Sequence, residues 1–203
     1  MRRPVIALLA IFAAIAKPQP TWAGALEDCV QPNDPKLRII ACTEIIEKQL
    51  VQGDKNLATA YYNRGNGYIS LRRPAEAAED FTRAIALNPT VADYYANRAA
   101  AFRAMRQADR AISDLEKAAD LDPSDPAIHN NLGFLYAATG DLDRAMARFN
   151  RALDLNPDWH SAYYNRANGL VQLGRGQEAL ADFSAAIRLS PDDLGYYLSR
   201  GRA

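Results

Sequence analysis

From residue 58 to residue 193 the apolar residues recur three and four apart, as in Ala77, Phe81, Ala84 and Ile85. That is the spacing of one face of an α-helix, so each such stretch is an amphipathic helix with one stripe turned inward. The stripe repeats. Alanine stands at 77, 111, 145 and 179 and again at 84, 118, 152 and 186, and proline at 89, 123, 157 and 191. Phe81, Leu115, Phe149 and Phe183 form a bulky series at the same step of 34 residues, as do Tyr68, Phe102, Tyr136 and Leu170.

A period of this length predicts stacked units of two helices, because a single hairpin cannot bury its own apolar face and the next unit must cover it. Small alanines let two helices approach closely, and the bulky residue at Phe81 and its equivalents fills the space between units. Proline after Asn88, Asp122, Asn156 and Ser190 ends each second helix. Gly140 and Gly174 supply the turn inside the third and fourth units, whereas the first two use Arg72 to Pro74 and Arg106 to Gln107. The units run 58 to 91, 92 to 125, 126 to 159 and 160 to 193.

These residues resemble the tetratricopeptide repeat (TPR) family, whose unit carries a small residue, an aromatic, two alanines and a final proline at these spacings. Tyr61, Gly65, Tyr68, Ala77, Phe81, Ala84 and Pro89 match that pattern in the first unit. Leu132, Gly133, Tyr136, Gly140, Ala145, Phe149, Ala152 and Pro157 match it in the third. The resemblance covers about two thirds of the chain. It implies an all-α fold, a right-handed superhelix of helical hairpins (an α-solenoid), whose first helices line a concave face. The expected organisation is four full repeats between two capping segments. Residues 24 to 57 form the N-terminal cap, with 35 to 47 resembling a second helix set five residues further back than the period gives. Residues 194 to 203 begin a fifth first helix, with Tyr197, Arg200 and Gly201 in register.

Comparing the units sorts their polar residues. Arg64, Arg98 and Arg166 occupy the seventh place of units one, two and four, and Asp80, Asp114 and Asp182 follow sixteen residues later. The third unit has Leu132 and Arg148 instead, so the two places change together and read as an Arg–Asp bridge between the helices of a hairpin. Asparagine persists in every unit, as Asn63, Asn97, Asn131 and Asn165. A carboxamide offers both donor and acceptor, so a column of them can pair with the peptide groups of an extended chain. The resemblance supports this use, because the TPR superhelix of O-linked N-acetylglucosamine transferases has a similar asparagine ladder that grips substrate backbone. The alternative is that each asparagine caps a loop or bonds to the adjacent hairpin, and the sequence leaves both open.

Tyr62, Asn66, Ala96, Arg103, Asn130, Phe134, Tyr164, Asn168 and Gln172 are the other first-helix positions expected to face the groove. Tyrosine provides a rigid apolar face with a polar tip, suited to binding or to stacking between units. The family's clamp for a free C-terminal carboxylate needs cations where Tyr62, Ala127 and Asn131 stand, so only Asn66 and Asn97 match it.

The chain opens with Arg2 and Arg3, twelve apolar residues from Val5 to Ala16, and then Lys17, Pro18 and Pro20. That order, with small residues at Thr21 and Ala23, predicts a signal peptide over residues 1 to 23, cleaved after Ala23. The apolar run is shorter than the ~20 residues a membrane span needs. The expected location is the periplasm or the exterior of a bacterial envelope, with no membrane attachment after cleavage. There a disulfide between Cys29 and Cys42 is the expected state.

Lys plus Arg and Asp plus Glu each number 24, and cleavage leaves 21 against 24, a formal charge of −3. No basic excess exists to neutralise a phosphate backbone, which argues against nucleic acid as a partner. The only histidines, His129 and His160, lie on the repeat register, and His129 stands where other units have Tyr61, Tyr95 and Tyr163. Gly174 to Gly176 lacks the preceding strand of a nucleotide site. Two cysteines without nearby histidines cannot complete a zinc site. The sequence therefore predicts neither catalysis nor a cofactor or metal. It predicts a scaffold that holds an extended segment of a partner protein, with a structural unit stacking on itself or on a larger envelope complex as the alternative. A monomer is the expected state.

Overall fold

A computed structural model of the protein describes residues 22–30 and 34–203, and the signal segment read at 1 to 23 lies almost wholly outside them. The described residues form eleven α-helices and no strand. Four hairpins make up the body: α3 (Asp54–Ser70) with α4 (Pro74–Leu87), α5 (Ala92–Ala104) with α6 (Ala108–Leu121), α7 (Pro126–Ala138) with α8 (Leu142–Leu155), and α9 (His160–Gln172) with α10 (Gly176–Leu189). Helices α1 (Trp22–Val30) and α2 (Pro35–Glu47) precede them, and α11 (Leu194–Arg200) follows.

The turn inside each hairpin follows from one backbone device. Arg72, Arg106, Gly140 and Gly174 all adopt a positive φ, between 58° and 87°. The next amide then reaches back to a carbonyl one turn earlier, as in Arg73 N to Tyr68 O and Asp141 N to Tyr136 O, both at 2.9 Å. This is a Schellman closure, which satisfies helix-end carbonyls and turns the chain sharply. Glycine reaches that φ freely, whereas each arginine carries about 1–2 kcal/mol of strain for the same geometry. Aspartates Asp34, Asp125, Asp141 and Asp193 cap helix starts by accepting from backbone N–H groups.

Both alanine series are fully buried, and Phe81, Leu115, Phe149 and Phe183 are at most 3% exposed. The apolar residues of the first three hairpins merge into one continuous core. Gly65 and Gly133 let aromatic rings approach the first helix closely, since a β-carbon would sit 2.7 Å and 2.6 Å from the rings of Phe81 and Phe149.

The N-terminal lead-in is itself helical. α1 packs on α2 and touches α3, making a further hairpin whose interior holds Ala25, Cys29, Cys42 and Ile45. The sulfurs of Cys29 and Cys42 are bonded. Four of the five residues offset in the sequence appear as an extra turn at the start of α3, which begins at 54 where the period would place 58. At the other end Tyr196 of α11 is buried against α10, while Leu194 and Leu198 remain 75% and 62% exposed.

Candidate functional site

First helices of successive hairpins touch one another, α3 with α5 and α7 with α9, whereas among the described residues no second helix packs comparably on another second helix. The stack therefore curves with its first helices inside, and their solvent-facing residues line the concave face. The side chains singled out in the sequence fall on that set of helices.

The arginines serve a different purpose. Arg64, Arg98 and Arg166 each make a two-pronged pair with Asp80, Asp114 and Asp182, with every N–O distance between 2.7 and 2.8 Å. Each has a third bond to the second helix of the preceding hairpin, through Thr43, Thr82 or Asn150. The arginine thus ties three helices together and is spent on the scaffold. The Asp80 carboxylate holds the Arg64 guanidinium above its usual pKa, partly opposed by burial, and Asp182 does the same for Arg166. In hairpin three Leu132 is fully buried instead.

The asparagines follow a spacing of 35 residues. Asn97 donates to the Tyr62 hydroxyl at 2.9 Å, and Asn165 donates to the Asn130 carbonyl oxygen at 3.0 Å. Ser199, at the same place in the fifth first helix, meets the Tyr164 hydroxyl at 3.3 Å. The bond joins the fifth place of one unit to the sixth place of the next. Asn97 and Asn165 therefore spend one N–H on the stack and keep a second N–H and lone pairs for anything in the groove. Asn131 would need a partner at 96, where alanine stands, and neither Asn131 nor Asn63 has a side-chain hydrogen bond within the described chain.

Burial separates the remaining positions. Asn130 is 7% exposed and belongs to the stacking bond. Tyr62 lies on Tyr94 with ring centres 5.0 Å apart, and Tyr164 on Tyr196 at 4.8 Å, so both are stacking residues whose hydroxyls reach the inner face. Burial raises the Tyr62 pKa, with hydrogen bonds from Asn66 and Asn97 pulling the other way. Asn168 donates back to the Tyr164 carbonyl. Phe134 is 42% exposed, and the Arg103 guanidinium lies 5.7 Å from the centre of its ring, at the middle of the groove.

The two histidines pack as register residues. His129 Nε2 bonds the Pro123 carbonyl at 3.0 Å, as the Tyr95 hydroxyl bonds Pro89 one unit earlier. His160 Nδ1 meets the Tyr196 hydroxyl at 2.6 Å and links α9 to α11.

Models of the tetratricopeptide repeat match residues 58–91, 102–167 and 160–193, together more than half of the chain. The chain belongs to the tetratricopeptide repeat family. Among solved TPR structures it is similar to YrrB, described as having an unusual peptide-binding site. The identity is 23% over 82% of this chain and 84% of that one, with a TM-score of 0.69. It is also similar to MamA from Desulfovibrio magneticus RS-1, at 18% identity over 85% and 95% with a TM-score of 0.74. The thermophilic TPR protein TTC0263 of Thermus thermophilus gives 22% identity over 83% and 89%, with a TM-score of 0.66. At these identities the likeness is one of fold. No curated protein sequence matches the chain.

In this TPR stack the residues that sequence reasoning missed are the contacts between hairpins. Thr43, Thr82 and Asn150 accept from the repeating arginines, yet they share no residue type, so no column of identities marks them. The pairing of fifth and sixth places was visible as a spacing of 35 rather than 34, but only a curvature that brings first helices together turns it into contact.

Proposed function

We propose that the protein is an exported scaffold that binds an extended segment of a partner protein along its concave face. One observation carries this reading: the inner helices present a column of carboxamides that the fold does not use up. Among the described residues Asn63 and Asn131 make no side-chain hydrogen bond, Asn97 and Asn165 make one each, and Phe134 with Arg103 stands exposed among them. Such groups match the alternating donors and acceptors of a peptide backbone without selecting its side chains. The peptide-binding site ascribed to YrrB, a protein of the same fold, supports the same use. Export rests on the basic and apolar leader and on the bonded pair Cys29–Cys42, which suits an oxidising compartment.

Affinity capture from envelope extract tests the groove, using the wild-type protein beside a variant with Asn97→Ala and Asn131→Ala. The variant is expected to lose partners that the wild type retains, and equal recovery of the same partners refutes the assignment. Sequencing the mature N-terminus tests export, with Gly24 as the expected first residue. The exposed Leu194 and Leu198 on α11 favour a second reading, a unit that stacks with other copies through its ends. Light scattering over a concentration series separates the two, since a monomer throughout excludes self-stacking.

A further inference from the structure

Three of the four second helices open with an ion pair at the sixteenth and nineteenth places of the unit. Arg73 pairs with Glu76, Arg144 with Asp141 and Arg175 with Glu178, each within 2.8 Å. Unit two has Gln107 and Arg110 there, so the guanidinium donates to a neutral carboxamide oxygen at 2.7 Å. Unit one departs at another place: Ala78 stands where the other units have Ile112, Met146 and Leu180. The two departures meet in space. Between α4 and α6, on the outer, second-helix side of the stack, lies a cavity of about 490 Å³ floored by Ala75, Ala78, Phe102 and Met105 and edged by Arg83 and Arg110. Arg110 lies over the Phe102 ring, 3.8 Å from its centre. Among the described residues neither arginine has a carboxylate partner, and Glu79, the one acid in the lining, pairs with neither. The equivalent places further along are satisfied from within. Ile112 packs on the core that holds Tyr136, whose hydroxyl donates to Glu116, and between α8 and α10 the charges cancel as Arg166–Asp182 and Arg175–Glu178.

We propose that this outer groove is a second docking surface, separate from the concave face, and that it takes an acidic amphipathic helix of a partner protein. A Leu, Met or Phe of that helix seats on the alanines and Met105, and Asp or Glu side chains one turn away pair with Arg83 and Arg110. The charge of the partner follows from the two guanidinium groups, whose planar forks fit carboxylates in two-pronged fashion. Its helical form follows from what the groove withholds. Apart from the charged groups, the lining offers little to a peptide backbone: Thr82 donates to the Ala78 carbonyl and accepts from Arg98, and the Gln107 oxygen accepts from Arg110. An extended segment would leave backbone groups unpaired there, whereas a helix satisfies its own and needs only an apolar stripe and matching charge. The groove is open to solvent along its length, so it covers one face of a polypeptide, whereas a small molecule needs most of its surface enclosed.

Phage selection against the full chain from a library of peptides of about 16 residues, long enough to form a helix, followed by titration of the synthesised winners, tests the proposal. The wild type is expected to enrich peptides that combine an apolar stripe of helical spacing with Asp or Glu beside it. Two substitutions borrowed from other units each remove one feature of the groove. Ala78→Ile fills its floor with the side chain that unit two carries at that place, and Gln107→Asp gives Arg110 the partner that Asp141 gives Arg144. Neither should lower the melting temperature, and each should weaken the selected peptides about tenfold or more, roughly what losing one anchor costs. Asn97→Ala with Asn131→Ala, on the concave face, should leave them bound as tightly as the wild type does. The outer groove is refuted if the winners bind Ala78→Ile and Gln107→Asp undiminished, or if no acidic peptide is enriched. It is refuted in favour of the concave face if only the asparagine variant releases them. A wild type that associates with itself, and ceases to when Leu194 and Leu198 are changed to Asp or Gln107 to Asp, overturns the proposal by making a second copy the occupant.

Discussion

Replacing Asp114 by alanine isolates the energetics of the scaffold. The carboxylate takes two bonds from Arg98, at 2.8 and 2.7 Å, and the two side chains are only 9% and 18% exposed. Without it the guanidinium retains the Thr82 hydroxyl at 3.0 Å and the faces of Tyr95 and Phe102. Removing one partner of a fully buried pair costs about 3–5 kcal/mol, and partial access to water lowers that here to roughly 2–3 kcal/mol. For a chain of this size the melting temperature should fall by about 4–12 °C. Hairpin three shows another solution, with Leu132 buried and Arg148 half-buried at the same two places. Arg98→Leu combined with Asp114→Arg recreates it and should cost under about 1 kcal/mol, because no charge is left buried without a partner. Urea unfolding followed by circular dichroism reads both variants, with the slopes compared because a repeat stack can lose its cooperativity. The reasoning fails if the single substitution costs less than about 0.5 kcal/mol, or if the double variant is no more stable than the single one.

Four further expectations use the same internal comparisons. Changing Cys29 and Cys42 to serine should remove about 3 kcal/mol on the chain-entropy model, with faster amide exchange in α1 and α2 and none in α5 to α8; uniform loosening would contradict it. Gly133→Ala forces a β-carbon to within 2.6 Å of Phe149 and should cost about 1–2 kcal/mol after its gain in helix propensity. Adding Phe149→Leu should recover most of that loss, since hairpin two pairs Ala99 with Leu115; calorimetric melting of both variants decides it. Arg106→Gly removes a side chain from a residue at φ 60° and should stabilise by up to about 1 kcal/mol in denaturant titration, with no gain as the refuting result. Burial is the first cause raising the pKa of Tyr62, Tyr136 and Tyr196, so their stabilising linkage is complete below the usual tyrosine value and is lost as pH climbs through the higher folded ones. In an absorbance titration of phenolate, replacing Tyr62, Tyr136 or Tyr196 by Phe should each delete a step above the usual tyrosine value, and loss of no such step would refute the reasoning.

The hairpins were legible from the chain because a step of 34 residues with its internal three-and-four spacing is a local property. The alanines, the bulky series and the prolines each report burial or termination at one place. The Arg–Asp bridge was legible for a related reason: Leu132 and Arg148 break both columns in one unit, and paired absence reveals pairing. The turns were half legible. Glycine announces a left-handed residue at 140 and 174, whereas Arg72 and Arg106 adopt the same φ because the packed helices on either side impose it.

The asparagines mark where that legibility ends. Their recurrence left two uses open, and the fold assigns Asn97 and Asn165 in part to the stack while Asn131 makes no side-chain hydrogen bond among the described residues. By itself the sequence determined the unit, its two helices and the stripe each one buries. Only the tertiary structure decided which polar residues meet across units, because those contacts depend on the angle at which one hairpin sits on the next and on the curvature that brings the inner helices together.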